Sequence, residues 1–127
     1  MPIVIDSDIL IDLSRGDTIA ARFVEKVSKN HSLAISVITK MELLVGCRNK
    51  IELKNTEKFL DHFEIIRLNS AISDIAVDLL NKYNLSHGLL IPDALIAATA
   101  ISEGYSFATK NLRDFKYIKD LDLVQFP

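Results

Sequence analysis

Four carboxylates depart from the local sequence pattern along this chain of 127 residues. Asp6 ends the strand-like run Ile3-Val4-Ile5, and Glu42 lies within an apolar stretch. Asp93 opens the most apolar segment of the chain, and Asp114 lies in a polar loop after a late strand-like run. Acids are poor strand formers and are rarely buried unpaired, so something must compensate their charge.

Carboxylates that share one site repel one another. The repulsion energy of two unit charges 4 Å apart is about 4 kcal/mol at an effective dielectric of 20. A cluster of carboxylates therefore stays fully ionised only with cations nearby. Carboxylate-only ligation suits hard ions such as Mg²⁺ or Mn²⁺. Such an ion lowers the pKa of a bound water and stabilises a leaving oxygen, which is the chemistry of phosphodiester hydrolysis.

Taken alone, each acid also has a purely structural interpretation. Asp6 could flank a helix, and Glu42 could be an exposed helix acid. Asp93 could be a first-turn acid favoured by the helix dipole, and Asp114 could be a turn acid. Asp8 and Asp12 follow Asp6, and we expect them on the exposed polar face of a helix. A supporting role in the site is the alternative for both.

The hydrophobic pattern predicts alternating strands and helices. Short apolar runs predict strands at 3–5, 33–35, 65–68, 105–108 and 123–126. Between them, apolar residues at helical spacing predict helices that begin at Ser7, Asp17, Ser36, residue 50, Ser70 and Pro92. This alternation predicts an α/β fold with a central parallel sheet and helices on both faces.

The predicted topology brings the acids together. In open parallel sheets, ligands bind in the crevice at the carboxyl ends of the strands. Asp6 ends the first strand, and Asp114 lies in the loop that follows the fourth. At least three of the four acids are therefore expected to face one crevice, which favours a shared metal site.

Composition predicts one soluble domain over residues 1–127. Apolar residues make up 49% of the chain and charged residues 25%, which argues against disorder and against a membrane protein. No secretion signal is evident after Met1. Cys47 is the one cysteine, which rules out an internal disulfide and fits the reducing cytoplasm, so we expect a cytoplasmic protein.

The net charge of −2 does not indicate a nucleic-acid-binding protein by bulk electrostatics. The distribution is more informative, because basic residues concentrate in two strips, at 40–58 and 110–119. These strips could flank an acidic centre. Solvated helix faces of mixed charge are the alternative for either strip.

Four segments resemble the PIN-domain family, and in particular the VapC-type toxins of toxin-antitoxin pairs: VIDSDILIDL, SVITKMELLVG, IPDALIAATA and ATKNLRDF. They occur in the family's order and spacing and cover essentially the whole chain. The resemblance implies a three-layer α/β/α fold and a Mg²⁺- or Mn²⁺-dependent endoribonuclease. It also implies an RNA substrate, a homodimer, and a small antitoxin partner that wraps the toxin and blocks its site.

The resemblance also assigns roles to individual residues. The positions that match the family's acidic metal ligands are Asp6, Glu42 and Asp93, with Asp114 as the fourth acid, more variable in role. The positions that match the polar residues organising the site are Ser7, Thr109 and Asn111. Lys110 and Arg113 lie beside the site and are candidates for contact with the RNA backbone, with ordinary loop charges as the alternative.

Two other functional classes stay open. A receiver-like signalling module would share the length, the fold class and the early acids, but it needs a phospho-acceptor Asp at the end of a central strand. The predicted strands are followed there by Ser36 and Asn69. The other class is a non-catalytic RNA-binding or scaffold protein with a structural ion. The three histidines lack zinc spacing, and His87 is expected in a surface loop, with substrate contact as the alternative.

Overall fold

The structure, a computed structural model, describes residues 1–127. Five parallel strands form one sheet in the order β3-β2-β1-β4-β5. The strands are β1 (Ile3–Ile5), β2 (Leu33–Ser36), β3 (Glu64–Ile66), β4 (Ser106–Ala108) and β5 (Leu123–Val124). The helices are α1 (Ser7–Ser14), α2 (Thr18–Ser28), α3 (Val37–Val45), α4 (Lys50–Leu60), α5 (Ser70–His87) and α6 (Ile91–Glu103), with a 3₁₀ turn at Leu112–Asp114.

The first strand of the chain is the central strand of the sheet. In β1, Val4 pairs with Ala34 of β2 on one side and with Phe107 of β4 on the other. All three residues of β1 are buried, as expected for a strand covered on both faces. The two neighbours of β1 therefore come from positions about 30 and 100 residues further along the chain.

A hydrophobic cluster covers each face of the sheet. Val4 belongs to a cluster that α5 and α6 complete, whereas its neighbours Ile3 and Ile5 belong to a second cluster with residues of α1 and α2. Successive side chains of a strand point to opposite faces, so the two clusters lie on opposite sides of the sheet. The predicted three-layer α/β/α architecture is confirmed.

The helix α6 lies in the core, as its composition predicts. Residues 96–100 are all buried, and four of the buried residues of α6 are alanines. Small side chains allow α6 to pack closely against α5 and the sheet, because little side-chain volume separates the backbones. Pro92 occupies the first turn of α6, where a missing backbone N–H costs nothing. No helix of the structure has the length and apolar character needed to cross a membrane.

Two helix caps differ from the prediction by one residue. Asp6, the extended residue that follows β1, caps α1 by accepting a hydrogen bond from the Ser7 backbone N–H at 2.8 Å, so Ser7 is not the cap. Asn69 caps α5 in place of Ser70. Where two neighbouring residues are both of a type that caps helices, the sequence does not show which one is the cap. The backbone conformation in the folded protein determines it. The predicted cap at Ser36 is confirmed.

The helix α5 is longer than predicted. It continues through His87, which was expected in a loop, because no helix-breaking residue precedes Gly88. Gly88 adopts φ +73°, a left-handed conformation that favours glycine, and ends the helix there. The strands β3 and β5 are also shorter than predicted, at three and two residues.

We expect Ile96→Ala to lower the free energy of unfolding by about 2–5 kcal/mol, because Ile96 is 1% exposed and its truncation leaves a cavity under the sheet. Val77 of α5 is 59% exposed, and Val77→Ala serves as the control, with an expected change below about 0.5 kcal/mol. Urea denaturation of both variants measures the difference. Equal losses for the two variants would contradict the assignment of α6 to the core.

Candidate active site

Three adjacent strands carry polar residues to one edge of the sheet. Asp6 follows β1, the helix with Glu42 follows β2, and Thr109 follows β4. Because β2, β1 and β4 are parallel neighbours, all three segments leave the sheet at the same carboxyl edge. Asp93 joins them from the first turn of α6, and Asp114 joins from the 3₁₀ turn after β4.

Asp6 is the buried acid of this edge, with 7% of its surface exposed. Its carboxylate accepts hydrogen bonds from the Ser7 backbone N–H and from the Thr109 hydroxyl, both at 2.8 Å. Burial, and then the charge of Asp8, raise the pKa of Asp6 to about 7, although the two hydrogen bonds lower it. A carboxyl group in this state holds its proton near neutral pH unless a cation stabilises the anion.

Asp8 belongs to the same cluster, contrary to the expectation that it lies on an exposed face. It is half-buried, and it accepts hydrogen bonds from the Thr109 hydroxyl at 3.2 Å and the Lys110 backbone N–H at 3.1 Å. Burial raises the pKa of Asp8 as well. Thr109 therefore stands between two carboxylates and contacts both.

Glu42 is exposed at the side of this edge, on α3. The Ser7 hydroxyl donates a hydrogen bond to Glu42 Oε1 at 2.7 Å and lies 3.4 Å from the Thr39 hydroxyl, its other partner. Thr39 is fully buried one helical turn before Glu42. Ser7 thus links the start of α1 to α3 and holds the Glu42 carboxylate near Asp6.

Asp93 and Asp114 complete the set. Burial raises the pKa of Asp93, and the charges of Asp114, Glu42 and Asp8 raise it further. No hydrogen bond offsets these influences on Asp93. Asp114 accepts a short hydrogen bond from the Asn111 side-chain amide.

We call Asp6, Asp8, Glu42, Asp93 and Asp114 the acid cluster. Its mutual repulsion and its oxygen-only donor set fit a hard divalent cation, which would relieve the raised pKa values. No three of its carboxylates converge on one point in the arrangement of a formed metal site. The cluster therefore fits such a cation in chemistry and charge, and ligation requires side-chain adjustment.

The three polar residues predicted to support the site each contact it. Ser7 donates to Glu42, Thr109 donates to Asp6 and Asp8, and Asn111 donates to Asp114. The Asn111 backbone N–H also donates to the Thr109 hydroxyl at 3.0 Å, which fixes that hydroxyl. The structure thus brings together every site residue that the sequence singled out as acidic or supporting.

The two basic candidates differ in their surroundings. The Lys110 ammonium forms an ion pair with Asp12, which is half-buried and not exposed as expected. Arg113 is exposed and forms no ion pair. Lys110 is therefore tied to α1, while the charge of Arg113 is open to solvent.

A cleft of about 730 Å³ adjoins the acid cluster between α1, α3 and α4. Glu42 lines it and also belongs to the cluster, so the two share a wall. Arg15 and Phe59 line the same cleft, and Arg48 at its rim pairs with Glu52 at 2.9 Å. The cleft therefore connects the acid cluster to a surface between α1, α3 and α4 that is partly apolar.

Three further residues belong to this edge: Asp8 and Asp12, for which a supporting role was the alternative to an exposed position, and Thr39, which the sequence does not single out. The signal for Asp8 was its position two residues after Asp6, at the start of a helix that leaves a buried strand. No local signal identifies Asp12 or Thr39, because the pairing of Asp12 with Lys110 and of Thr39 with Ser7 joins distant parts of the chain.

We expect Asp6→Asn to stabilise the protein without added metal above pH 7, by up to about 4 kcal/mol, since one unit of pKa corresponds to about 1.4 kcal/mol. Since the folded-state pKa of Asp6 is raised from 3.8 to about 7, its ionisation costs stability progressively as the pH rises between these values. The difference should therefore vanish near pH 4. Denaturation in EDTA at pH 4.5 and pH 8 measures it.

Asp74→Asn on the exposed face of α5 is the matched control and should change stability little at either pH. A stabilisation by Asp6→Asn that is equal at pH 4.5 and pH 8 would contradict a charge effect at Asp6.

Comparison with known proteins places these features in a family. The PIN domain family model matches residues 3–121. Among similar curated proteins, Ribonuclease VapC10 of Mycobacterium tuberculosis is 33% identical over 120 residues, with 94% of this chain and 90% of that protein covered. Ribonuclease VapC1 of Methanocaldococcus jannaschii is 30% identical over 123 residues, with coverage of 95% and 84%.

Solved structures agree in fold over almost the whole chain. VapBC2 from Rickettsia felis, solved bound to a promoter DNA fragment, matches with TM-score 0.85 and 27% identity over 100% of both chains. A toxin-antitoxin complex from Klebsiella pneumoniae matches with TM-score 0.81 and 32% identity over 97% of this chain and 96% of that one. With its family profile, its relatives and its fold in agreement, the chain belongs to the PIN-domain family.

Proposed function

We propose that this protein is a metal-dependent endoribonuclease that acts as the toxin of a toxin-antitoxin pair. The observation that carries the proposal is the acid cluster, in which Asp6 and Asp93 are held with raised pKa values at the carboxyl edge of the sheet. Stability alone does not explain this arrangement, since ionising these acids opposes folding. The relatives named as VapC ribonucleases support the assignment of RNA as the substrate.

Asp6, Glu42, Asp93 and Asp114 are the proposed ligands of Mg²⁺ or Mn²⁺. When bound, such an ion supplies activation of water and neutralisation of charge on a phosphate. The chain's own polar residues orient the ligands: Ser7 holds Glu42, and Thr109 holds Asp6. Asp8 accepts a hydrogen bond from the same hydroxyl and is a candidate to orient Asp6 through Thr109.

The supporting residues restrict the movement of the acids to different degrees. Asp6 is fixed by burial and two hydrogen bonds, and Asp93 is fixed by the buried helix that it opens. Glu42 is exposed and is held by one hydroxyl, so it has the freedom to adjust when a cation arrives. Glu42 is therefore the proposed ligand whose side chain would adjust most to a bound cation.

The proposed partners are an RNA substrate, a cognate antitoxin and a second copy of the chain, in the cytoplasm. Similar structures from Rickettsia felis and Haemophilus influenzae are VapBC complexes, which supports an antitoxin partner. Arg113 is the better candidate for a phosphate contact, because the ion pair with Asp12 partly neutralises Lys110.

We expect the purified, antitoxin-free protein to cut total cellular RNA at discrete positions in Mg²⁺ or Mn²⁺ and not in EDTA. Asp93→Asn should lower this cleavage at least 100-fold, because it removes one ligand charge from the cluster. Sequencing of the fragment ends measures both the activity and the target. Asp74→Asn is the matched control and should cleave like the unaltered protein.

The same proteins give a readout that does not depend on cleavage. Added Mg²⁺ or Mn²⁺ should raise the melting temperature of the unaltered protein at pH 8, since a cation that binds only the folded state stabilises it. Asp93→Asn should lose most of this rise while remaining folded. If Asp93→Asn unfolds and the unaltered protein cuts no RNA, the acids have a structural role and the proposal is wrong.

A further inference from the structure

An aromatic stack reaches the surface beside the acid cluster. The rings of His87 and Tyr117 lie parallel, with centroids 4.1 Å apart and an angle of 11° between their planes. Tyr83 packs against both rings, with centroids 5.9 Å from His87 and 5.1 Å from Tyr117. His87 is exposed, whereas Tyr83 and Tyr117 are partly buried against the core.

The stack is close to the acids. Tyr117 lies three residues after Asp114, and His87 lies six residues before Asp93. After burial, the charges of Asp114 and Asp93 are the main causes that raise the pKa of the Tyr117 hydroxyl, so both acids lie within electrostatic range of that ring. His87 ends α5, and a three-residue connection leads from it to α6, whose first turn carries Asp93. The exposed ring of His87 is therefore within reach of an RNA strand at the acid cluster.

The ring of His87 is also held in place. Its Nδ1 lies 2.8 Å from the Ser86 hydroxyl, and Tyr117 covers one of its faces. A ring fixed in this way offers a flat surface at little cost in side-chain entropy. The other aromatic pairs of the protein, Phe23 with Phe126, Phe59 with Phe63 and Phe107 with Phe115, include no exposed ring.

The charges of the protein favour a contribution of base stacking to RNA binding. RNA binding through phosphates depends on cations, but the chain carries a net charge of −2 and the ammonium of Lys110 is paired with Asp12. The acid cluster itself repels phosphates. Stacking of bases on aromatic rings contributes affinity that does not depend on a positive protein charge and tolerates any base.

We propose that His87, backed by Tyr117, is a stacking platform for one base of single-stranded RNA next to the cleavage site. The inference rests on the proposed function, because it names how the same site holds its substrate. His87 contacts the base, and Tyr117 is a positioning residue that holds the His87 ring. The platform selects for an unpaired, splayed base, since a paired base keeps its faces covered.

The test uses the full chain in EDTA, where no cleavage is expected, and a decamer of uridines that carries one 2-aminopurine moved through successive positions. Stacking on His87 should quench the fluorescence at one or two positions. We expect His87→Ala to remove this quenching and to weaken binding about five- to tenfold. His87→Phe, which keeps a ring, should retain most of both, and Tyr117→Phe should behave in the same way.

His62→Ala is the matched control, because His62 is exposed at a different place in the fold and lies in no aromatic stack. It should leave quenching and affinity unchanged. In Mg²⁺, His87→Ala should raise KM with kcat little changed, because the platform holds the strand and does not take part in the reaction.

Failure of the platform and failure of the proposed function give different results. If the unaltered protein cleaves RNA but shows no quenching at any position, or if His87→Ala matches it in affinity, quenching and KM, the platform is wrong and the ribonuclease stands. If quenching depends on His87 but no metal supports cleavage, the platform stands as part of an RNA-binding site and the catalytic proposal is wrong.

Discussion

The burial of carboxylates at one edge of the sheet, together with their mutual repulsion, is the constraint around which the rest of the structure is arranged. Asp6 is the centre of it, because it is buried between Asp8 and the first turn of α6 with a pKa raised to about 7. Hydroxyl and amide groups donate hydrogen bonds to several of these acids and offset part of the cost of ionising them. The remaining charge is left for a ligand to neutralise, as in other sites that trade stability for activity.

The two rigid parts of the fold determine where these charges stand. The central position of β1 places Asp6 between the ends of β2 and β4, and the burial of Ala94 and of residues 96–100 in α6 fixes its first turn with Asp93. Glu42 and Asp114 approach from an exposed helix face and a 3₁₀ turn. The acid cluster therefore combines two fixed members with others on less constrained supports.

The sequence predicts the parts of this arrangement that break a local rule. An acid at the end of a buried strand and an acid at the start of an apolar helix are anomalies of pattern, so Asp6 and Asp93 are visible without a structure. The choice between Asn69 and Ser70 as a helix cap is not visible, because both residue types cap equally well. Nor is the membership of Asp8, which depends on the distant Thr109 hydroxyl.

The central place of β1 also makes the site a late product of folding. The hydrogen bond from Thr109 to Asp6 spans 103 positions of the chain, and β4 must pair with β1 before that bond forms. Contacts between residues so far apart in sequence cost loop-closure entropy before they contribute stability. The acid cluster therefore assembles only when β1 has both of its neighbours, and a partly folded chain carries no complete site.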